Sequence, residues 1–207
     1  VKFECNKALE FLKGTREERI QGLRIFCEYR DNRAFPLLLP LLEEPCPVER
    51  MSAVYALGRN PCPGAVEKLV NLLKFDDNAY VRRATAWSLA NYDNQIVLNP
   101  LINALKNDVS SVRLWASSSL AEIGSITNEN AQLAAEQLLI SLKIDNEPVV
   151  RSNCIWSLCR LYQNLSTKLQ EEFVDECTKI ALFDQEPSVM EEAKTALDSM
   201  GMKGFYK

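Results

Sequence analysis

The 207-residue sequence contains no histidine, and this absence excludes more chemistry than any residue present implies. Imidazole alone has an ordinary pKa between pH 5 and 8, so histidine general bases, imidazole metal ligands and histidine pH switches are ruled out. No apolar run approaches the ~20 residues of a membrane span, and no direct membrane insertion is expected. The first residues, from Val1, show neither an apolar signal core nor an Arg/Ser-rich presequence. The seven cysteines (Cys5, Cys27, Cys46, Cys62, Cys154, Cys159 and Cys177) include no CxxC, so no zinc pattern is present. Cys154 and Cys159 fall about 140° apart on a helix. Free thiols in a reducing compartment are the expectation.

A cationic surplus is also lacking. Lys plus Arg number 24 against 28 Asp plus Glu, for a net charge of −4. Sequence-independent binding to nucleic acid draws on excess positive charge to release counterions, so no nucleic-acid partner is expected. What remains, 47% hydrophobic and 25% charged, is the composition of a globular chain with a sizeable core.

The chain repeats itself at intervals of about thirty residues. The clearest copies start at Asp77, Asp108 and Asp145: an acidic turn, then Val-Arg, then a second helix ending at Leu89, Leu120 and Leu158. Weaker copies run from Glu44 to Leu57 and from Asp184 to Leu197. The arginine after the anchor falls at Arg50, Arg82, Arg113 and Arg151, with Arg19 in a degenerate first copy and Met190 breaking the row in the last. Counting from the anchors Val81, Val112, Val150 and Val189, with Glu49 replacing Val, small residues stand four on and leucines eight on. Those three places share one helical face. No segment alternates with period two. The fold class is therefore all-α, a stack of about six helical hairpins forming an α-solenoid. The repeats run over 1–30, 31–60, 61–92, 93–125, 128–164 and 166–201 in a single domain, with 202–207 a frayed tail.

This unit, an acidic turn and Val-Arg followed by small and Leu at four-residue steps near a 31-residue period, resembles the HEAT-like repeat of the phycobilisome lyase family. The likeness covers residues from about 15 to 201; the last two intervals, of 38 and 39 residues, depart from the period. It implies a right-handed α-solenoid of about six HEAT-like helical hairpins, and attachment or removal of bilins on antenna-protein cysteines, or chaperone-like assembly or turnover of a photosynthetic complex. The implied partners are a phycobiliprotein or another photosynthetic subunit and, for a lyase, a second lyase-like subunit. The implied setting is cyanobacterial cytoplasm or plastid stroma, peripheral to thylakoids. The deoxyhypusine hydroxylases, similar in organisation, hold two irons with His-Glu motifs, and this chain has none of those histidines.

Two rows of residues are candidates for function. The arginines Arg50, Arg82, Arg113 and Arg151 lie five or six residues after Glu44, Asp77, Asp108 and Asp145. Pairing across each turn, in a ladder that braces successive repeats, is favoured over a phosphate- or carboxylate-binding role. The second row is aromatic. Tyr55, Trp87 and Trp156 stand six places after the anchor and Trp115 three, at about 600° and 300° of rotation and off the core stripe. These rings either pack as core or line a concave groove with Met51, Arg83, Leu114 and Arg160 beside them. Such a groove suits a partner helix or a bound bilin, with Arg83 or Arg160 on its propionates. No catalytic residue is assigned, and neither a metal nor any cofactor beyond that bilin is expected. Pro45-Cys-Pro47 and Pro61-Cys-Pro63 bracket one helix about 17 Å long, so their thiols are not expected to pair, and neither has a cationic cluster to make it a nucleophile.

Overall fold

A computed structural model describes residues 2–202 and 204. Among these the chain forms twelve α-helices and no strand, the all-α class read from the sequence. Contacts divide it into two units, Val1–Pro100 and Leu101–Lys207. Most of the expected tail, Lys203 and residues 205–207, lies outside the described residues.

In the first unit, helices pair as α1 (Lys2–Phe11) with α2 (Arg16–Glu28), α3 (Phe35–Leu38) with α4 (Pro47–Arg59), and α5 (Val66–Phe75) with α6 (Ala79–Leu89). Helix α2 starts at a reciprocal cap, in which the Glu18 N–H donates to Thr15 Oγ1 and the Thr15 N–H to Glu18 Oε2. The stub α3 runs into a 3-10 turn over Leu39–Glu43, since Pro40 has no N–H for an α-helical bond. The second helices α2, α4 and α6 lie side by side. Asn60, buried after α4, shares its Nδ2 hydrogens among the carbonyls of Phe26, Tyr29 and Ala56. One side chain thus satisfies orphan carbonyls at the ends of two helices. Helix α7 (Leu98–Asn107) begins in this unit.

The second unit holds the rest of α7 and then α8 (Ser110–Gly124), α9 (Asn128–Ile144), α10 (Pro148–Leu161), α11 (Thr167–Phe183) and α12 (Pro187–Ser199). Pro148 and Pro187, like Pro47, occupy the first helical position, where a missing N–H breaks no bond. The longer repeat intervals have a simple origin: α9 and α11 have 17 residues where α5 and α7 have 10. Seven extra residues are about two helical turns, so the apolar face keeps its direction.

The repeated core places are filled as expected. Val81, Thr85 and Leu89, Val112, Ala116 and Leu120, Val150, Cys154 and Leu158, and Val189, Ala193 and Leu197 are all fully buried. Small residues midway let second helices approach closely; Leu and Val fill the layers around them.

Candidate functional site

The arginine row is a brace, but its rungs differ from the expected ones. Each guanidinium gives Nη1 to a carbonyl of its own turn: Arg19 to Gly14, Arg50 to Glu44 and Pro45, Arg82 to Asp76, Arg113 to Asp108, Arg151 to Asp145. In Arg50, Arg113 and Arg151 the remaining nitrogens reach the acid of the following repeat. Arg50 grips Asp76 through Nε and Nη2 at 2.7 and 2.9 Å, Arg113 grips Asp145 at 2.7 Å twice, and Arg151 grips Asp184 at 3.2 and 2.8 Å. The expectation that Arg50, Arg113 and Arg151 pair with the acids of their own turns, Glu44, Asp108 and Asp145, is corrected accordingly. In the third repeat the rung acid is Asp76, while Asp77 is exposed.

The reason is local geometry. The acid opening each turn folds back to accept a backbone N–H two residues on, Asn78 at Asp76, Glu147 at Asp145 and Glu186 at Asp184. Its oxygens then face the preceding repeat, and its own arginine is left with the turn carbonyl. Bidentate pairs between planar groups fix both distance and angle, so every rung sets the register of one repeat on the next. Hydrogen bonding to Asp76 and Asp145 raises the Arg50 and Arg113 pKa above the ordinary value. The first rung is inverted in burial. Glu49 occupies the anchor place with 2% exposure, and Arg19 reaches its Oε1 at 2.7 and 3.0 Å while Arg16 stands 3.4 Å from Oε2.

The aromatic row has different surroundings in the two units. In the first, Tyr55 on α4 and Trp87 on α6 are half-buried with centroids 5.4 Å apart at 54°. Gly58 makes the seat for Trp87, since a Cβ there would stand 2.5 Å from the Trp87 ring. Arg83 lies with its guanidinium 5.3 Å from the Tyr80 ring centroid, and its Nε is buried without a hydrogen-bond partner. In the second unit Trp115 is 37% and Trp156 40% exposed. The Arg160 guanidinium sits 5.1 Å from the Trp156 centroid and pairs with Glu122 at 2.8 Å. Leu114 is half-buried, and its carbonyl accepts from Asn153 Nδ2 at 3.2 Å. The structure thus brings together Tyr55 and Trp87 in one unit, where Arg83 lies against Tyr80, and Trp156 and Arg160 in the other. Arg160, expected to be available for a ligand carboxylate, is already engaged by Glu122.

Three features escape the sequence reading. Arg24 on α2 occupies the place of Tyr55 and Trp87, five residues after the repeat arginine; the spacing was sufficient to find it. Large apolar side chains stand exposed just before three rung acids, Phe75 at 75%, Ile144 at 71% and Phe183 at 78%. They flank clefts of about 570 Å³ beside Arg50 and Asp76 and about 490 Å³ beside Arg151 and Asp184. The third is Cys46, whose surroundings do include a cation. It caps α4, and Arg16 Nη2 donates to its Sγ at 2.7 Å. The Glu49 backbone N–H, chiefly, and Arg16 hold this thiol below its ordinary pKa. Burial pushes Cys27 and Cys159 up to about 11, and all seven cysteines are unpaired. Among the described residues no cluster of acids and cysteines suits a metal ion, and no helix is long and apolar enough to cross a membrane.

The sequence profile described as HEAT repeats matches residues 7–90 and 66–159. No curated protein matches the chain by sequence. Among solved structures, an engineered protein superposes with a TM-score of 0.68 at 22% identity, covering 95% of this chain and 98% of its own. A designed armadillo repeat protein in complex with the peptide (KR)4 gives 0.67 at 19%, covering 99% and 100%. Kap121p gives 0.74 at 14%, covering 94% of this chain and 23% of Kap121p. At these identities the likeness is one of fold, the helical-repeat solenoid.

Proposed function

Because the chain belongs to the HEAT-repeat family, we propose that it is a non-catalytic binding module that holds a segment of a protein partner on the exposed face of its second helices. The observation that carries this reading is the pairing of Tyr55 with Trp87 beside Arg83, a cation with no carboxylate partner among the described residues. Aromatic and arginine side chains dominate binding energy at interfaces because they bury large areas and orient hydrogen bonds together. The designed neighbour that holds (KR)4 supports a peptide as the kind of ligand such a fold takes.

The finer role is assembly or turnover of a photosynthetic antenna or related complex, in cyanobacterial cytoplasm or plastid stroma and peripheral to thylakoids. Its support is the Val-Arg repeat resembling the phycobilisome lyase family. The lyase alternative adds a bilin substrate and a second lyase-like subunit. It is the weaker of the two, for Arg160, one of the two arginines set against bilin propionates, is paired with Glu122. A bilin titration followed by absorption separates them: the binding-module reading expects no spectral shift. Its direct test is capture of a phycobiliprotein subunit by the full chain. Trp87→Ala with Trp115→Ala should weaken capture by about tenfold or more, and full retention contradicts the reading.

A further inference from the structure

The chain is acidic overall, yet one face of it is not. Along α2, α4 and α6 one face carries the exposed Arg24 and Arg59 and the half-buried Arg83, with the apolar side chains Ile20, Met51, Tyr55 and Trp87 between them. Their acidic company on this face is Glu17, seven residues before Arg24, and Glu28, four residues after it. None of the three arginines has a carboxylate within ion-pair distance among the described residues; Arg59 donates only to the Cys27 carbonyl, at 3.2 Å. The contrast with the rung arginines is sharp, since every one of those five has its donors committed to turn carbonyls. Three guanidiniums outside any ion pair, against two carboxylates, leave the face around the aromatic pair net positive, and that potential selects against cationic ligands.

Resting on the proposed binding role, we infer that the first unit takes an acidic, apolar-centred peptide segment of its partner, with carboxylates on Arg24 and Arg83 and apolar side chains over Tyr55 and Trp87. Neighbouring helices stand roughly 9–10 Å apart, so the row from α2 to α6 spans about 20 Å. An extended strand covers that length in about six residues at ~3.3 Å each. The occupant is thus a short extended segment with Asp or Glu toward both ends and Leu or Phe at its centre. Stacking on Tyr80 holds the Arg83 guanidinium over a ring, so it meets a carboxylate with less side-chain freedom left to lose. This ligand is opposite in charge to the one held by the designed neighbour of the same fold.

The test uses the full chain and three fluorescein-labelled probes followed by anisotropy: an eight-residue acidic peptide with a Leu-Phe centre, (KR)4, and a single-stranded oligonucleotide. The acidic peptide should bind about tenfold or more tighter than (KR)4, and added salt should weaken it. Arg83→Gln should weaken it about tenfold, Arg83→Lys less, and Arg24→Glu with Arg83→Glu should reverse the preference, while thermal melts confirm that each variant is folded. Unchanged affinity in Arg83→Gln and Arg24→Gln, with binding lost in Trp87→Ala, would overturn the charge inference and leave the binding role standing. Affinity that also survives Trp87→Ala would overturn both. Tighter binding of (KR)4 or of the oligonucleotide would overturn the inference in favour of that ligand class.

Discussion

The two units share a frame and differ in face. Five residues after the repeat arginine the first unit has Arg24, Tyr55 and Trp87, the second Ser118, Trp156 and Thr195; one residue after it, Ile20, Met51 and Arg83 become Leu114, Ser152 and Glu191. The second unit adds Glu122 and Glu192 and neutralises its Arg160. The same helical places thus carry aromatic rings in both units, on a cationic surface in one and a neutral to acidic one in the other. Beneath them, anchors, small residues, leucines and rungs repeat almost unchanged. The rung arginines hold the frame, whereas Arg83 stands outside any ion pair, and the carboxylates around each decide which.

The largest expected effects test the shared frame. Leu57→Ala in the first unit and Leu158→Ala in the second remove fully buried side chains, and each should lower unfolding free energy by about 3 kcal/mol in urea titrations. A loss confined to one unit would break the equivalence. Next come the rung acids. Asp76→Asn and Asp145→Asn each weaken a bidentate pair with an arginine, and each should reduce stability by about 2 kcal/mol. Gly58→Ala sharpens the difference between units, because its methyl group would displace the Trp87 ring. About 1–2 kcal/mol of destabilisation with a shift in tryptophan emission is expected, and unaltered emission would count against the seat. The smallest effect concerns thiols alone. Cys46, with its lowered pKa, should react with an aromatic disulfide at pH 7 faster than Cys27 or Cys159, whose pKa values near 11 leave them protonated until unfolding. Arg16→Gln should slow that reaction, and equal rates at these three half-buried thiols would contradict the local field.

The sequence pattern was enough for the frame because the frame is local. Anchor, small residue and Leu at four-residue steps state a helical face outright, and Val112, Ala116 and Leu120 are buried where that face demands. The partners of the arginines were not legible in the same way. Asp108 is five residues from Arg113 along the chain, whereas Asp145, which actually pairs with it, is 32 residues on. Only the fold-back of each acid onto its own turn decides between the two. Glu49 looked like a degraded anchor; its burial between Arg16 and Arg19 shows a rung moved inward. The exposed row was legible as offsets, Tyr55 with Trp87 above all, but whether Arg83 or Arg160 is uncompensated depends on Glu122, 38 residues from Arg160 in the chain.

Urea unfolding of Arg151→Gln and Arg83→Gln side by side tests the division between frame and face most directly. The account predicts that Arg151→Gln, which loses the Asp184 pair and a turn carbonyl, moves the midpoint down by about 2–3 kcal/mol of stability. Arg83→Gln should leave it within about 0.5 kcal/mol. Equal losses in the two variants would contradict it, for Arg83 would then be part of the frame.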